Sequence, residues 1–214
     1  MLDHEAGSVV LTGQGARRRG FTLIELLVTV SLFAFLMLLA APSFTSWIQD
    51  AQVRTAAESL QNGLRVAQAE ATRRHRQVAL VLTNSAPAPG VAAQANGKNW
   101  FVMVIPNQLA GESYTNAAAP TLMVQSGALG AVAPNAQVSV QQPAVCFSSL
   151  GRLTTLNDGT YNCAVPPTGT VTYAITNSRF ASARTLNVTV SLGGLIRVCD
   201  PSKSLSQGNP DACA

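Results

Sequence analysis

Histidine and charge are what this sequence has least of. Its 214 residues include two histidines, and Asp, Glu, Lys and Arg together make up 11%. His4 lies at the extreme N-terminus, and His75 sits among Arg73, Arg74 and Arg76. No Cys-x-x-Cys pair occurs and no cysteine precedes Cys146, so the usual ligand spacing of a zinc site is missing. The acids beyond residue 76, namely Glu112, Asp158, Asp200 and Asp211, are far apart in sequence. A catalytic nucleophile or base needs a positioned partner, and no such arrangement is readable. The chain is therefore read as non-enzymatic, with no metal, no cofactor and no small-molecule substrate. The formal charge of +4 is a mild basic balance that argues neither for nor against nucleic acid. The run Arg73-Arg74-His75-Arg76 reads as cations at the negative end of a helix dipole.

Apolar residues are plentiful, at 47%, which suits a tethered or assembled protein better than a free cytosolic one. Phe21–Ala41 carries a single charge, Glu25, and about 20 apolar residues in a helix match the thickness of a bilayer. Arg17, Arg18 and Arg19 immediately before it hold the N-terminal side in the cytoplasm, so the remainder is exported. A secretory signal peptide would have a shorter apolar core and a small-residue cleavage site, for which Ala40-Ala41-Pro42 is a poor sequence. A plain anchor leaves Glu25 unexplained, since an acid inside a bilayer costs about 2.5–3.5 kcal/mol.

The run Arg19-Gly20-Phe21-Thr22-Leu23-Ile24-Glu25-Leu26-Leu27-Val28 closely resembles the signal of type IV prepilins and pseudopilins. It has a basic leader, Gly before the cut, Phe first in the mature chain and Glu fifth. The resemblance implies that prepilin peptidase cleaves between Gly20 and Phe21 and that Phe21 is N-methylated. It also gives Glu25 a role in assembly, neutralising the α-amino group of a neighbouring subunit's Phe21 so that neither charge is buried alone.

Beyond Pro42 the apolar residues Phe44, Trp47, Ile48, Ala51, Ala56, Leu60, Leu64, Ala67 and Ala71 keep mainly to one helical face. Arg54/Glu58 and Glu70/Arg74 fall at i,i+4 on the other. A kinked helix is expected over 21–76. Strands are expected at 77–83, 99–105, 121–125, 137–141, 171–176, 186–191 and 195–199, the last two joined by a two-residue turn at Gly193-Gly194. Segments 84–97 and 111–120 read as mobile loops. Cys146, Cys163, Cys199 and Cys213 all fall in the C-terminal third and read as disulfides formed in an oxidising compartment. Of the three pairings open to four cysteines, chain proximity favours Cys146 with Cys163 and Cys199 with Cys213.

Leu64-Arg-Val-Ala-Gln-Ala-Glu-Ala-Thr-Arg-Arg74 followed by Gln77-Val-Ala-Leu-Val-Leu82 is similar to the helix-to-first-strand junction of the GspH/FimT family. Cys146-Phe-Ser-Ser-Leu-Gly-Arg152 and Gly194-Leu-Ile-Arg-Val-Cys199 also resemble segments of that family. The resemblance implies an α+β, type IV pilin-like fold: a long N-terminal helix, half transmembrane and half amphipathic, packed on an antiparallel β-sheet head. Its divisions are a leader at 1–20, the helix at 21–76 with 21–41 in the membrane, and a periplasmic head at 77–214. The implied function is that of a minor pilin or pseudopilin in type IV pilus biogenesis or type II secretion. Its implied partners are prepilin peptidase, the other pilins of the filament and the inner membrane, which it crosses once. A second reading is a DNA-binding minor pilin for natural transformation, with Arg179, Arg184 and Arg197 as the phosphate contacts. Some family members carry Gly-Arg-x-Arg for this purpose, whereas here Leu195 replaces the first Arg. A third is an anchored periplasmic protein that never assembles.

Overall fold

The computed structural model describes residues 20–115 and 119–213, except for the side chains of 40–42, 119 and 120. The expected leader lies outside the described residues apart from Gly20, and the expected kink at Pro42 falls on undescribed side chains. The chain divides into two compact units, 1–42 and 43–214, and helix α1, Leu23–Arg74, contributes to both. Among the described residues no single helix is long and apolar enough to cross a membrane. Leu23–Leu39 meets that measure only together with Ser43–Arg74.

In the larger unit, eleven strands follow the helix among the described residues: β1 Val78–Thr83, β2 Asn99–Val104, β3 Met123–Ala128, β4 Ala136–Ser139, β5 Ala144–Phe147, β6 Leu153–Thr154, β7 Leu156–Asn157, β8 Asn162–Cys163, β9 Thr170–Asn177, β10 Leu186–Ser191 and β11 Ile196–Cys199. They form a five-stranded sheet in the order β3-β2-β1-β5-β6, a four-stranded sheet in the order β11-β10-β9-β4 and the pair β7-β8. Every pairing is antiparallel.

Ala56, Leu60, Leu64, Ala67 and Ala71 recur every three or four residues, which places them on one stripe of α1. That stripe is buried with Leu80, Leu82, Val102 and Phe147 of the larger sheet and Tyr173, Ile175, Val188 and Val190 of the smaller one. The reverse face of the larger sheet is covered as well: Ala79, Val81, Phe101 and Met103 join Tyr161 and Cys163 in a second core. Burial on both faces is why β1 reads as the near-continuous apolar run Val-Ala-Leu-Val-Leu-Thr, whereas β10, Leu-Asn-Val-Thr-Val-Ser, is fully buried only at alternate residues. Trp100 fills a slot between helix and sheet. A Cβ added at Gly63 would lie 2.9 Å from its Cζ3, and one added at Gly127 would lie 2.4 Å from its Cε2. Its indole N–H donates to Ser59 Oγ at 3.2 Å, which satisfies the one polar atom that the slot takes in.

Several boundaries differ from the sequence expectation. The helix stops at Arg74 instead of Arg76 because His75 adopts φ 53° and the Arg76 N–H folds back to the Ala71 carbonyl at 3.2 Å, the geometry of a left-handed C-terminal cap. The turn between β10 and β11 is not a two-residue Gly193-Gly194 turn. The Gly194 N–H donates to the Ser191 carbonyl at 2.8 Å and the Ser191 N–H to the Leu195 carbonyl at 3.0 Å. The loop therefore has three residues, and only the last, Gly194, takes positive φ, at 89°. Strand β3 begins at Met123, not Thr121, because Ala119–Leu122 is helical. The expectation did not include strands β5 to β8: β6, β7 and β8 have two residues each, too few to show a period, and β5 runs into the segment 146–152 read as a motif. Segment 84–97 carries no strand or helix but is held at both ends. The Gln94 N–H reaches the Leu82 carbonyl at 2.8 Å, and the Asn84 carboxamide accepts from the Lys98 N–H at 3.1 Å. In segment 111–120, residues 116–118 lie outside the described residues.

Candidate assembly segment and head contacts

In the smaller unit Thr22 opens the helix. Its hydroxyl oxygen accepts from the Glu25 N–H at 3.3 Å and its carbonyl from the Leu26 N–H at 3.1 Å, so Thr22 is the N-cap and Glu25 lies in the first turn. A negative side chain there is favoured by the helix dipole, and its carboxylate has no ion-pair partner among the described residues. Among the described residues Gly20 has no neighbouring atom within 4 Å of where a Cβ would sit. From Phe21, which is 83% exposed, through Leu39, the large apolar side chains are exposed on every side of the helix. A helix apolar all round is stable only when surrounded by lipid or by other apolar helices.

The cysteines form two disulfides in the head. Cys146 of β5 bonds to Cys163 of β8, with Cα atoms 5.6 Å apart. Cys199, the last residue of β11, bonds to Cys213 with Cα atoms 4.9 Å apart, so the tail is turned back onto the strand it leaves.

The three arginines considered for phosphate contact have different environments. Arg184 is committed to acids: Nε donates to Asp200 Oδ2 at 2.8 Å, Nη2 to Asp211 Oδ2 at 3.1 Å, and its backbone N–H to Asp50 Oδ1 at 2.8 Å. Burial pushes the Asp200 carboxyl up, but hydrogen bonds from Ser202 and Arg184 outweigh it and hold the group below its usual range. Asp211 is held low chiefly by the hydrogen bond from Lys203, at 2.6 Å. Arg197 Nη2 reaches the Pro210 carbonyl at 3.4 Å. Arg179 is exposed, and its backbone N–H caps onto Asn177 Oδ1 at 2.9 Å. The three arginines therefore do not form a set of free cations, because Arg184 is paired with acids of the same chain.

Sequence reasoning missed the glutamines of α1. The Gln68 amide donates to two carbonyls at once, Gly151 O at 2.8 Å and Gly194 O at 2.8 Å. One belongs to the β5–β6 turn and the other to the β10–β11 turn, so a single side chain joins helix and both sheets. The two turns touch: a Cβ at Gly194 would lie 2.1 Å from the Gly151 carbonyl oxygen. Nearer the start of the head, Gln49 is 9% exposed, and its carbonyl oxygen accepts from Asn135 Nδ2 at 3.1 Å and Asn177 Nδ2 at 2.8 Å. Gln52 accepts from the Asn135 N–H at 3.2 Å.

Beneath the larger sheet the rings of Tyr114 and Tyr161 meet edge to face at 5.3 Å, and the Tyr114 hydroxyl donates to Asp158. Burial pushes the Tyr161 hydroxyl up to about 12 and Tyr114 higher still, so neither phenol is poised for proton transfer near neutral pH. Among the described residues no group of three or more His, Cys, Asp and Glu side chains is placed to hold a metal ion.

Residues 56–194 match the family described as type II transport protein GspH, and residues 15–41 match the prokaryotic N-terminal methylation motif. No curated protein matches the chain. Among solved structures it is similar to the type IV minor pilin FimU of Pseudomonas aeruginosa, with 16% identity and a TM-score of 0.46 over 75% of this chain and 99% of that one. It is also similar to the minor pseudopilin EpsH from the type 2 secretion system of Vibrio cholerae, with 13% identity and a TM-score of 0.45 over 71% of this chain and 99% of that one.

Proposed function

The chain belongs to the GspH family of type II transport proteins, and on that premise we propose that it is a minor pilin or pseudopilin, a structural subunit of a type IV pilus or of the type II secretion pseudopilus. Prepilin peptidase cleaves it between Gly20 and Phe21, and Phe21 is N-methylated, in keeping with the methylation motif over 15–41. Before assembly the protein sits in the inner membrane as a single-pass subunit with residues 77–214 in the periplasm, where both disulfides form. It then moves into the filament, and the other pilins replace lipid around residues 21–41.

The observation that carries this reading is the helix apolar on all sides with one acid, Glu25, in its first turn. In the filament that carboxylate neutralises the new α-amino group of a neighbouring subunit. The DNA-binding alternative loses one of its three cations, since Arg184 is already neutralised by Asp200 and Asp211. Glu25→Ala should leave cleavage after Gly20 and the membrane level unchanged, because removing a charge makes residence in lipid easier. It should deplete the protein from sheared fibres, where an amine buried without a partner costs several kcal/mol. Wild-type levels of the variant in fibres, or a mature N-terminus other than Phe21 by mass spectrometry, would refute the reading.

A further inference from the structure

We infer that the free edge of β4 is a strand-addition site for a short extended segment of a neighbouring filament subunit, an inference that rests on the assembly role proposed above. In the register of β4 with β9, Gln137 stands opposite Thr176 and Ser139 opposite Ala174. One step outside the ladder, the Ser178 N–H donates to the Asn135 carbonyl at 2.8 Å. Bonded pairs alternate along an antiparallel ladder, so Gln137 and Ser139 direct their backbone groups to β9, as the Asn135 carbonyl does, and Ala136 and Val138 turn theirs away from it. The Ala136 N–H is taken up by the Ala133 carbonyl at 3.0 Å. The N–H and C=O of Val138 have no partner among the described residues. Val138 is 5% exposed and its side chain is locked into the main core, so these two groups are held in place at little entropic cost to a binding strand.

The space beside them is open. A cavity of about 640 Å³ runs along this edge, lined among others by Asn84, Asn96, Lys98, Leu129, Gln137 and Ser139. The other edges of the two larger sheets are guarded in recognisable ways. At the end of β11 the tail pairs back, the Asp200 N–H donating to the Asp211 carbonyl at 2.7 Å, and the disulfide to Cys213 holds it there. β6 is two residues long, and the β3 pairing carries a register shift at Val102/Met103. β4, Ala-Gln-Val-Ser, has no charge and no proline, and among the described residues no strand covers its free edge. An extended backbone is the ligand that answers a paired N–H and C=O. The single charge on the cavity wall is the exposed Lys98, whose ammonium has no acid partner among the described residues. The segment that fits is therefore extended and carries an acid beside its paired residues.

Hydrogen exchange of the full-length protein, read by mass spectrometry over 136–140 in detergent-solubilised membranes and in sheared fibres, tests this. The Val138 amide should exchange freely in detergent and at least tenfold more slowly in fibres. Lys98→Glu, an exposed change, should keep its membrane level and fall several-fold in fibres. Unchanged exchange at Val138 in fibres that contain the protein overturns strand addition and leaves the filament role intact. Wild-type fibre levels of Lys98→Glu overturn the acidic partner, and absence of the wild-type protein from fibres overturns both readings.

Discussion

Replacing Gln68 by leucine would keep the bulk of the side chain and remove the two hydrogen bonds it donates at 2.8 Å each to Gly151 and Gly194. A net contribution of about 0.5–1.5 kcal/mol per bond gives a loss of about 1–3 kcal/mol, with the upper end favoured because both carbonyls then lose a donor at a part-buried site. Glutamate is the sharper perturbation. It presents acceptor oxygens to two carbonyl oxygens, so its folded pKa should rise above the ordinary value of about 4.3. A raised folded pKa means that the protonated form, which regains one donor, stabilises the fold below the ordinary pKa. That stabilisation is lost as pH rises through the folded value. Gln68→Glu should therefore be less stable than Gln68→Leu at pH 7 and recover relative to it at pH 4 and below. Denaturant unfolding of the full chain in detergent micelles, followed by the emission of the buried Trp100, reads both effects. An unchanged midpoint for Gln68→Leu, or a Glu variant that tracks the Leu variant at every pH, would show that the clamp contributes nothing.

Two further outcomes follow from polar groups in the head. Tyr173 is fully buried on β9 and its hydroxyl has no hydrogen-bond partner among the described residues, so Tyr173→Phe should raise stability by about 1 kcal/mol, and a lower melting temperature would contradict this. The Arg73 and Arg74 guanidiniums hydrogen-bond the Glu70 carboxylate, and, with the Arg73 bond the largest cause, they hold its pKa near 2 against an ordinary 4.5. A depressed folded pKa contributes stability above 4.5 that is lost as pH falls toward 2. The stability gap between wild type and Glu70→Gln should narrow over that interval, and a gap constant from pH 6 to pH 2 would remove Glu70 from the acid response.

The elements that could be read from the sequence were those with a long period or a chemical signature. The helix was visible from Phe44 to Ala71 because its apolar stripe runs for many turns, and β1, β9 and β10 were visible because six to eight residues suffice to show a run or an alternation. The N-terminal segment was legible in detail, since an acid in an apolar run next to Gly-Phe is a costly arrangement that needs a reason. β5 was hidden by its brevity and by being read as a motif. The helix end was misplaced because His75 looks like any helical residue, and its left-handed conformation is imposed by the cap that follows. The glutamine contacts were invisible for a different reason: Gln68 bonds to carbonyls 83 and 126 residues away, and no local pattern encodes a partner at that distance.

The slot that holds Trp100 sets a rule for how this head can diverge. Indole occupies the space that side chains at Gly63 and Gly127 would need, with a hypothetical Cβ at 2.9 Å and 2.4 Å from the ring. Neither glycine can therefore gain a methyl group while the tryptophan stays, and loss of the tryptophan leaves a void that enlargement at those two positions would refill. A descendant of this chain that keeps the tryptophan should keep both glycines, and a relative with alanine at either glycine should carry a smaller residue at position 100. Such a triplet, drawn from the helix and two neighbouring strands, is inherited as one character, and its co-variation among homologues would record the packing of helix on sheet.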